Sequence, residues 1–146
     1  MNEENYLNAF FERDKFVQLA GVKLVEVTDA SAVAEAMIKE EHLNGNGCVQ
    51  GGMLYTLADF AFAALGNYLH PMTVTQGGHI TYLRPAYTSK ITAIAKETER
   101  VGHNCVCEVV VRDDKGDMVC ICHFNGFVKD MTKEQMTEII RKGRQK

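Results

Sequence analysis

The segment that most constrains the fold is residues 53–69, MLYTLADFAFAALGNYL, which is mostly apolar but contains Thr56, Asp59 and Asn67. Apolar side chains at helical spacing mark one face of a predicted helix. Phe60, Phe62 and Ala64 place apolar groups on the other faces. A helix that is apolar on nearly every side is a buried helix. Pro71 prevents it from continuing, so the rest of the chain has to surround this one segment.

Strand patterns supply the surrounding layer. Two short strands, 22–27 and 32–38, precede the apolar helix, and Thr28-Asp29 forms the turn between them. Long segments rich in β-branched and apolar residues follow it: 79–87, 90–101, 104–113 and 117–128. We therefore predict an α+β fold in which one curved antiparallel sheet of about six strands wraps a long central helix.

Local signals add detail at the two ends of the chain. Apolar residues at helical spacing predict one helix over residues 4–19, which Gly21 ends. A short last helix is predicted from the capping-box pair Thr132 and Gln135. Its apolar stripe consists of Met136, Ile139 and Ile140.

Two glycine-containing segments predict the details of the sheet. Gly77-Gly78 indicates a bulge or bend. Asp114-Lys115-Gly116 predicts a hairpin in which Cys107 lies opposite Cys122. Cys105, Cys107, Cys120 and Cys122 then share one face; core packing is the favoured interpretation and a zinc site the alternative.

Length and charge exclude several classes of protein. A chain of 146 residues fits a single domain over residues 1–146. The net charge of -3 gives no electrostatic footprint for nucleic acid or an anionic membrane. No apolar run approaches the ~20 residues that span a bilayer, and no secretory signal begins the chain. Five cysteines, an odd number, argue against a disulfide framework, so we expect a cytoplasmic protein.

The turn before the central helix is dense in glycine, with four glycines among residues 45–52. The N-terminus of a helix carries unpaired N–H groups and a partial positive charge. Gly51 and Gly52 would let another molecule approach those groups, as in an oxyanion hole. A tight strand-to-helix turn is the plain alternative. The spacing matches neither a P-loop nor a dinucleotide fingerprint.

Asp59 is a lone carboxylate inside the apolar helix. Burial of a charge is costly unless the group is paired, hydrogen-bonded or functional. Eight residues separate it from Gly51, roughly 12 Å along a helix. One small reacting group cannot easily touch both within one chain, so if both are catalytic they come from different subunits of a dimer.

Residues 42–60 resemble hotdog-fold acyl-CoA thioesterases of the phenylacetic-acid-degradation, or PaaI-like, type. That family's pattern is close to H-x-N-x-x-G-x-x-H-G-G-x-x-x-x-L-x-D. The matching residues here are His42, Asn44, Gly47, Gln50, Gly51, Gly52, Leu57 and Asp59. GHITYLRPA (78–86) resembles the strand that follows the family's central helix, and the likeness covers roughly residues 20–130.

The resemblance implies a catalytic group. The Gly51 N–H would polarise the thioester carbonyl, and Asp59 of the partner subunit would act as general base or nucleophile. Asn44 would orient the water or the substrate carbonyl, and Thr75 would position the water. Gln50 stands where the family commonly has His, and it can donate a hydrogen bond but cannot titrate.

The resemblance also implies an acyl-CoA substrate, no cofactor and no metal. Gly52 and His42 are expected at the substrate, although His42 is also placed to shape the turn. Arg84, Lys90 and Arg100 are candidates for binding the coenzyme A tail. A homodimer follows from the site argument, whereas a homotetramer made of two dimers rests on the resemblance alone.

Two alternatives to hydrolysis remain open, a non-catalytic acyl-CoA-binding module and a hotdog dehydratase or hydratase. The second would need a histidine where Ala64 stands. The sequence leaves open the acyl group, and it does not distinguish base from nucleophile for Asp59.

Overall fold

Six antiparallel strands wrap one long helix in the computed structural model, which describes residues 3–70 and 72–143. The helices are α1 (Glu3–Phe11), α2 (Lys15–Ala20), α3 (Gly51–Leu69) and α4 (Lys133–Gly143). The strands are β1 (Val22–Val27), β2 (Ala32–Met37), β3 (Thr73–Tyr82), β4 (Lys90–Val101), β5 (Asn104–Arg112) and β6 (Met118–Val128). The strand order is β1-β2-β4-β5-β6-β3, so β1 and β3 are the edges of the sheet.

The central helix α3 contacts all six strands. Its buried side chains lie on several faces, as the apolar sequence predicts, and Leu57, Phe62 and Leu65 are fully buried. Asn67, a buried polar residue, exchanges hydrogen bonds with the backbone of Thr73 and so fixes the chain reversal from α3 into β3. No helix of the described ranges is long and apolar enough to cross a bilayer.

The single helix predicted over residues 4–19 is wrong, because the chain breaks there into α1 and α2. Asp14 starts the second helix, since its carboxylate accepts a hydrogen bond from the Val17 N–H (3.0 Å). The predicted end is confirmed at Gly21, which has a φ of 74°, a conformation that suits glycine.

The hairpin between β5 and β6 is confirmed, but its predicted register is wrong. Cys107 lies opposite Phe124, not opposite Cys122. The loop runs from Asp113 to Asp117, and an irregularity between Val111 and Arg112 shifts the pairing. The four cysteines of the two strands are nevertheless all fully buried, as core packing requires.

Strand β3 carries the predicted bulge, which lies between Thr75 and Gly77. It ends at Tyr82, so the strand predicted over 79–87 is wrong for residues 83–87. At the other end of the chain, the capping box of Thr132 and Gln135 is confirmed by reciprocal hydrogen bonds (2.8 and 3.1 Å). Met136 and Ile140 are buried against Leu7, whereas Ile139 stays 43% exposed.

Candidate active site at the start of the central helix

The glycine turn presents the N-terminus of α3. Gln50 is the N-cap, and its side-chain oxygen accepts hydrogen bonds from the N–H groups of Gly52 (2.5 Å) and Met53 (3.2 Å). The Gln50 side chain does not accept a hydrogen bond from the N–H of Gly51, the first residue of the helix. A helix end offers such an amide to a ligand together with the partial positive charge of the helix.

Asn44 organises the loop ahead of that helix. Its side-chain oxygen accepts hydrogen bonds from the N–H groups of Asn46 (2.9 Å) and Cys48 (3.3 Å). The Cys48 thiol lies 3.5 Å from the same oxygen. The side-chain nitrogen of Asn44 takes part in none of these bonds, so it remains a donor for a bound molecule.

A cavity of about 570 Å³ opens beside the turn. Its lining includes five residues predicted for the site, which are Asn44, Gln50, Gly51, Gly52 and Arg84. The opposite wall consists of Tyr82, Leu83, Pro85 and Ala86, on the segment that leaves β3. The Val49 N–H donates to the Ala86 carbonyl (3.0 Å) and ties this wall to the turn.

Tyr82 contributes a contact that the sequence did not assign. Its hydroxyl donates to the Gly51 carbonyl (3.0 Å), although the side chain is 52% exposed. A Cβ at Gly51 would come within 2.8 Å of that hydroxyl oxygen. Glycine here therefore leaves room for the close approach of Tyr82. An aromatic residue on the strand after α3 was the available signal, but its side-chain partner depends on tertiary packing.

Asp59 lies farther along α3 and is half-buried. The Thr75 hydroxyl donates a hydrogen bond to its carboxylate (2.8 Å). Burial raises the pKa of the Asp59 carboxyl, the bond from Thr75 lowers it in part, and the nearby Asp14 carboxylate adds to the rise. The carboxyl is thus a stronger base than an ordinary aspartate, which suits a group that accepts a proton from water.

The two catalytic candidates of one chain do not meet. Asp59 and Thr75 are absent from the lining of the cavity that contains Gly51. Gly51 and Asp59 belong to the same helix, roughly 12 Å apart along its axis. Within a single chain, the helix N-terminus and the carboxylate are therefore two separate candidate half-sites.

His42 shapes the turn. The ring is 7% exposed, and its Nδ1 accepts a hydrogen bond from the Lys39 N–H (2.9 Å). The proton of the ring is then on Nε2, which donates to the Ala20 carbonyl (2.8 Å). Both ring nitrogens thus hold hydrogen bonds within the chain, as a residue that shapes the turn does.

The three candidate cations for the coenzyme A tail lie in different places. Arg84 lines the cavity and is 3.5 Å from the carboxylate of Asp117. Lys90 lies outside that lining, 3.9 Å from Glu35. Arg100 contacts His70, the C-cap of α3, and so lies at the far end of the helix from Gly51 of the same chain. Of these three candidate cations, only Arg84 lines the cavity.

Comparison with known proteins identifies the family. A sequence profile described as the thioesterase superfamily matches residues 46–120, which include Gly51, Gly52, Asp59 and Thr75. The chain belongs to the thioesterase superfamily. The expected PaaI-like resemblance is confirmed by acyl-coenzyme A thioesterase PaaI of Escherichia coli K12. That relative is 30% identical over 90 residues, which cover 61% of this chain and 64% of the relative.

A second relative is a protein of Archaeoglobus fulgidus named for an esterase activity. It is 33% identical to this chain over 95 residues. Those residues cover 64% of this chain and 62% of the relative. The matched stretch thus spans somewhat less than two thirds of either curated relative.

The chain shares its fold with a solved structure. The PaaI protein of E. coli from the phenylacetic acid degradation operon superposes with a TM-score of 0.83 at 23% identity. The match covers 89% of this chain and 95% of that one. The predicted hotdog fold, a central helix wrapped by a six-stranded antiparallel sheet, is therefore confirmed.

Proposed function

We propose that the chain hydrolyses acyl-CoA thioesters at a site that two copies of the chain build together. Membership of the thioesterase superfamily and the likeness to an acyl-coenzyme A thioesterase support the reaction class. The observation that carries the proposal is the Asp59 carboxylate, which is half-buried in an otherwise apolar helix and held by the Thr75 hydroxyl. A pure binding module gains nothing from that costly group.

The proposed reaction uses the two half-sites in different roles. The Gly51 N–H polarises the thioester carbonyl and stabilises the negative charge that develops on its oxygen. Asp59 of the partner subunit takes a proton from water while the water oxygen attacks the carbonyl carbon. The carbon–sulfur bond then breaks, and the thiolate of coenzyme A leaves and takes up a proton. Direct attack by the carboxylate, through a mixed anhydride that water cleaves, uses the same residues.

The surrounding residues support these two groups. Thr75 holds the carboxylate of Asp59 in place. The side-chain nitrogen of Asn44, which takes no part in the hydrogen bonds of the turn, is a donor for the substrate carbonyl or the water. Arg84 lies at the cavity and is the best-placed cation for the phosphates of coenzyme A. Gln50 keeps the helix N-terminus in shape through its cap and leaves the Gly51 amide for the thioester.

The edge strand β3 is the proposed contact between the two copies. It lies at the end of the sheet, and residues 75–79 are all exposed. An unpaired edge of a sheet is a template for pairing with another strand. Antiparallel pairing of β3 with the same strand of a second copy would make an isologous dimer and bring the Asp59 face of one copy towards the other. Association of two such dimers into a tetramer is a prediction from the resemblance alone.

Thiol release from a panel of aromatic and short to medium aliphatic acyl-CoAs tests this function. Wild type is compared with Asp59→Asn, which keeps the shape of the side chain but removes its basicity. We expect wild type to turn over at least one class of substrate. The variant should lose about 100-fold or more of kcat, because general base catalysis contributes about 100- to 10,000-fold.

Circular dichroism and the oligomeric state of both proteins are the controls for that assay. A folded variant that retains wild-type turnover removes Asp59 from the mechanism. If wild type binds acyl-CoA tightly but releases no thiol, the binding module is favoured. If wild type hydrates an enoyl-CoA, the hydratase is favoured.

A further inference from the structure

A second group of reactive side chains lies at the opposite end of α3 from the glycine turn. His70 is the C-cap of that helix, Glu97 belongs to β4, and Cys105 belongs to β5. The side chains of His70 and Glu97 are 13% and 23% exposed, and Cys105 is fully buried. Thioester hydrolysis as proposed above uses none of them.

The three groups converge on one point. Nε2 of His70 lies 2.6 Å from Oε2 of Glu97, and Sγ of Cys105 lies 3.1 Å from the same oxygen. All three candidate ligand atoms lie within 4.8 Å of one another. They come from three different elements, so the convergence is a property of the tertiary structure and not of a local sequence motif.

We propose that His70, Glu97 and Cys105 bind one Zn²⁺ ion. Imidazole nitrogen, carboxylate oxygen and thiolate sulfur are the donors that zinc uses in proteins, at about 2.0–2.3 Å. Two ligands at such distances around a tetrahedral ion lie roughly 3.3–3.8 Å apart. Nε2 of His70 and Oε2 of Glu97, now 2.6 Å apart, would have to separate by about 0.7 Å to admit the ion, and Sγ of Cys105 and the same oxygen, now 3.1 Å apart, by about 0.4 Å.

The fourth coordination position is left to a water or to Cys107, whose Sγ lies 3.8 Å from that of Cys105. That separation equals the spacing of two thiolates on one zinc ion. On binding, the ion replaces the protons that form the hydrogen bonds of Glu97 with His70 and Cys105. It also balances the charge of Glu97 in a poorly hydrated place, where an ion pair or a metal is the usual solution.

Arg100 competes with the ion. Its Nη1 lies 2.7 Å from Nδ1 of His70, and a guanidinium only donates, so Nδ1 accepts and Nε2 carries the proton that it gives to Glu97. Coordination through Nε2 moves the ring proton to Nδ1 and requires Arg100 to turn away. The side chain of Arg100 is exposed and has room to do so. Removal of this cation should therefore strengthen metal binding.

Metal titration of the chelator-treated full chain tests the proposal. Co²⁺ is the spectroscopic probe, because a cobalt–thiolate bond gives a charge-transfer band, and Zn²⁺ is then used to displace it. We expect one ion per chain, and we expect His70→Gln, Glu97→Gln and Cys105→Ser each to weaken binding at least about tenfold. Arg100→Ala should bind more tightly than wild type.

Cys48→Ser is the matched control, because Cys48 is also a buried thiol but lies in the glycine turn. It should bind Co²⁺ as wild type does. Since Cys105→Ser changes the core, circular dichroism is recorded for every variant, and the less deeply buried ligands His70 and Glu97 provide independent tests. Absence of a thiolate band in wild type, or wild-type affinity in a folded His70→Gln variant, would overturn the proposal.

Discussion

The Gly51 amide is a single N–H group, and proline offers a way to remove it. Gly51 is the first residue of α3, a position where proline is tolerated, and Gln50 has the extended backbone (φ -63°, ψ 136°) that suits a residue before proline. We predict that Gly51→Pro lowers kcat for thiol release about 100- to 1,000-fold, the usual effect of deleting an oxyanion donor.

Gly51→Ala is the control for that substitution, because it keeps the N–H and adds only a methyl group. The methyl meets the Tyr82 hydroxyl, the far end of a flexible side chain that can move aside. The loss of activity should therefore be much smaller than in the proline variant. Equal losses in both variants would assign the effect to crowding at Tyr82 and not to the missing amide.

The pH dependence of hydrolysis should report Asp59. The carboxylate is the active form, so kcat/KM falls as the pH falls through its pKa. Burial raises the pKa of Asp59, so this acidic limb should lie above the pH range of an ordinary aspartate. The Thr75 hydroxyl lowers the pKa, so Thr75→Val should raise it and move the limb to still higher pH.

Thr75→Ser keeps the hydroxyl and should leave the acidic limb near its wild-type position. The measurement is kcat/KM against pH for the three proteins with one acyl-CoA. A limb that shifts equally in Thr75→Ser and Thr75→Val would mean that the hydrogen bond to Asp59 does not set its pKa.

At the scale of an element, the bulged strand β3 contains two adjacent glycines in unlike surroundings. A Cβ at Gly78 would meet the Phe124 ring at 2.8 Å and the Tyr55 hydroxyl, whereas a Cβ at Gly77 would meet nothing within 4 Å. Gly78→Ala should lower the free energy of unfolding by about 1–3 kcal/mol through overpacking. Gly77→Ala should change it by less than about 0.5 kcal/mol.

Urea unfolding of both alanine variants at one protein concentration measures these differences. Tyr55 and Phe124 pack edge to face, so neither ring can yield without moving the other. If the two variants are equally stable, the close packing of Gly78 beneath these rings is not a source of stability.

At the scale of the whole molecule, a shared site makes a prediction that a single-chain site does not. Mixed dimers of Gly51→Pro and Asp59→Asn contain one site with both groups intact and one with both defective. Statistical exchange of equal amounts should therefore restore about a quarter of wild-type thiol release, because half of the dimers are mixed. The measurement is activity after the two inactive variants are unfolded and refolded together.

Refolding each variant alone is the control, and it should give no recovery. Mixed samples that form dimers but stay inactive would contradict a site that combines Gly51 of one subunit with Asp59 of the other.

Several parts of the site were accessible from local sequence. Apolar periodicity predicts the central helix, and the density of glycine marks the turn before it. Asp59 stands out because it is the one carboxylate inside that helix. Local patterns suffice there because helix formation and turn chemistry depend on neighbours within a few residues. The role of His42 as a residue that shapes the turn was also within reach, but its partner, the Ala20 carbonyl, was not.

Tertiary structure decided what depends on residues distant in the chain. It placed β3 at the edge of the sheet, set Cys107 opposite Phe124, and folded Leu83 and Pro85 into the wall of the cavity. The sequence by itself determined a buried helix, its enclosing strands and a family pattern at the helix start. Strand order and register are determined by packing across the whole core, and the meeting of His70, Glu97 and Cys105 follows from that packing.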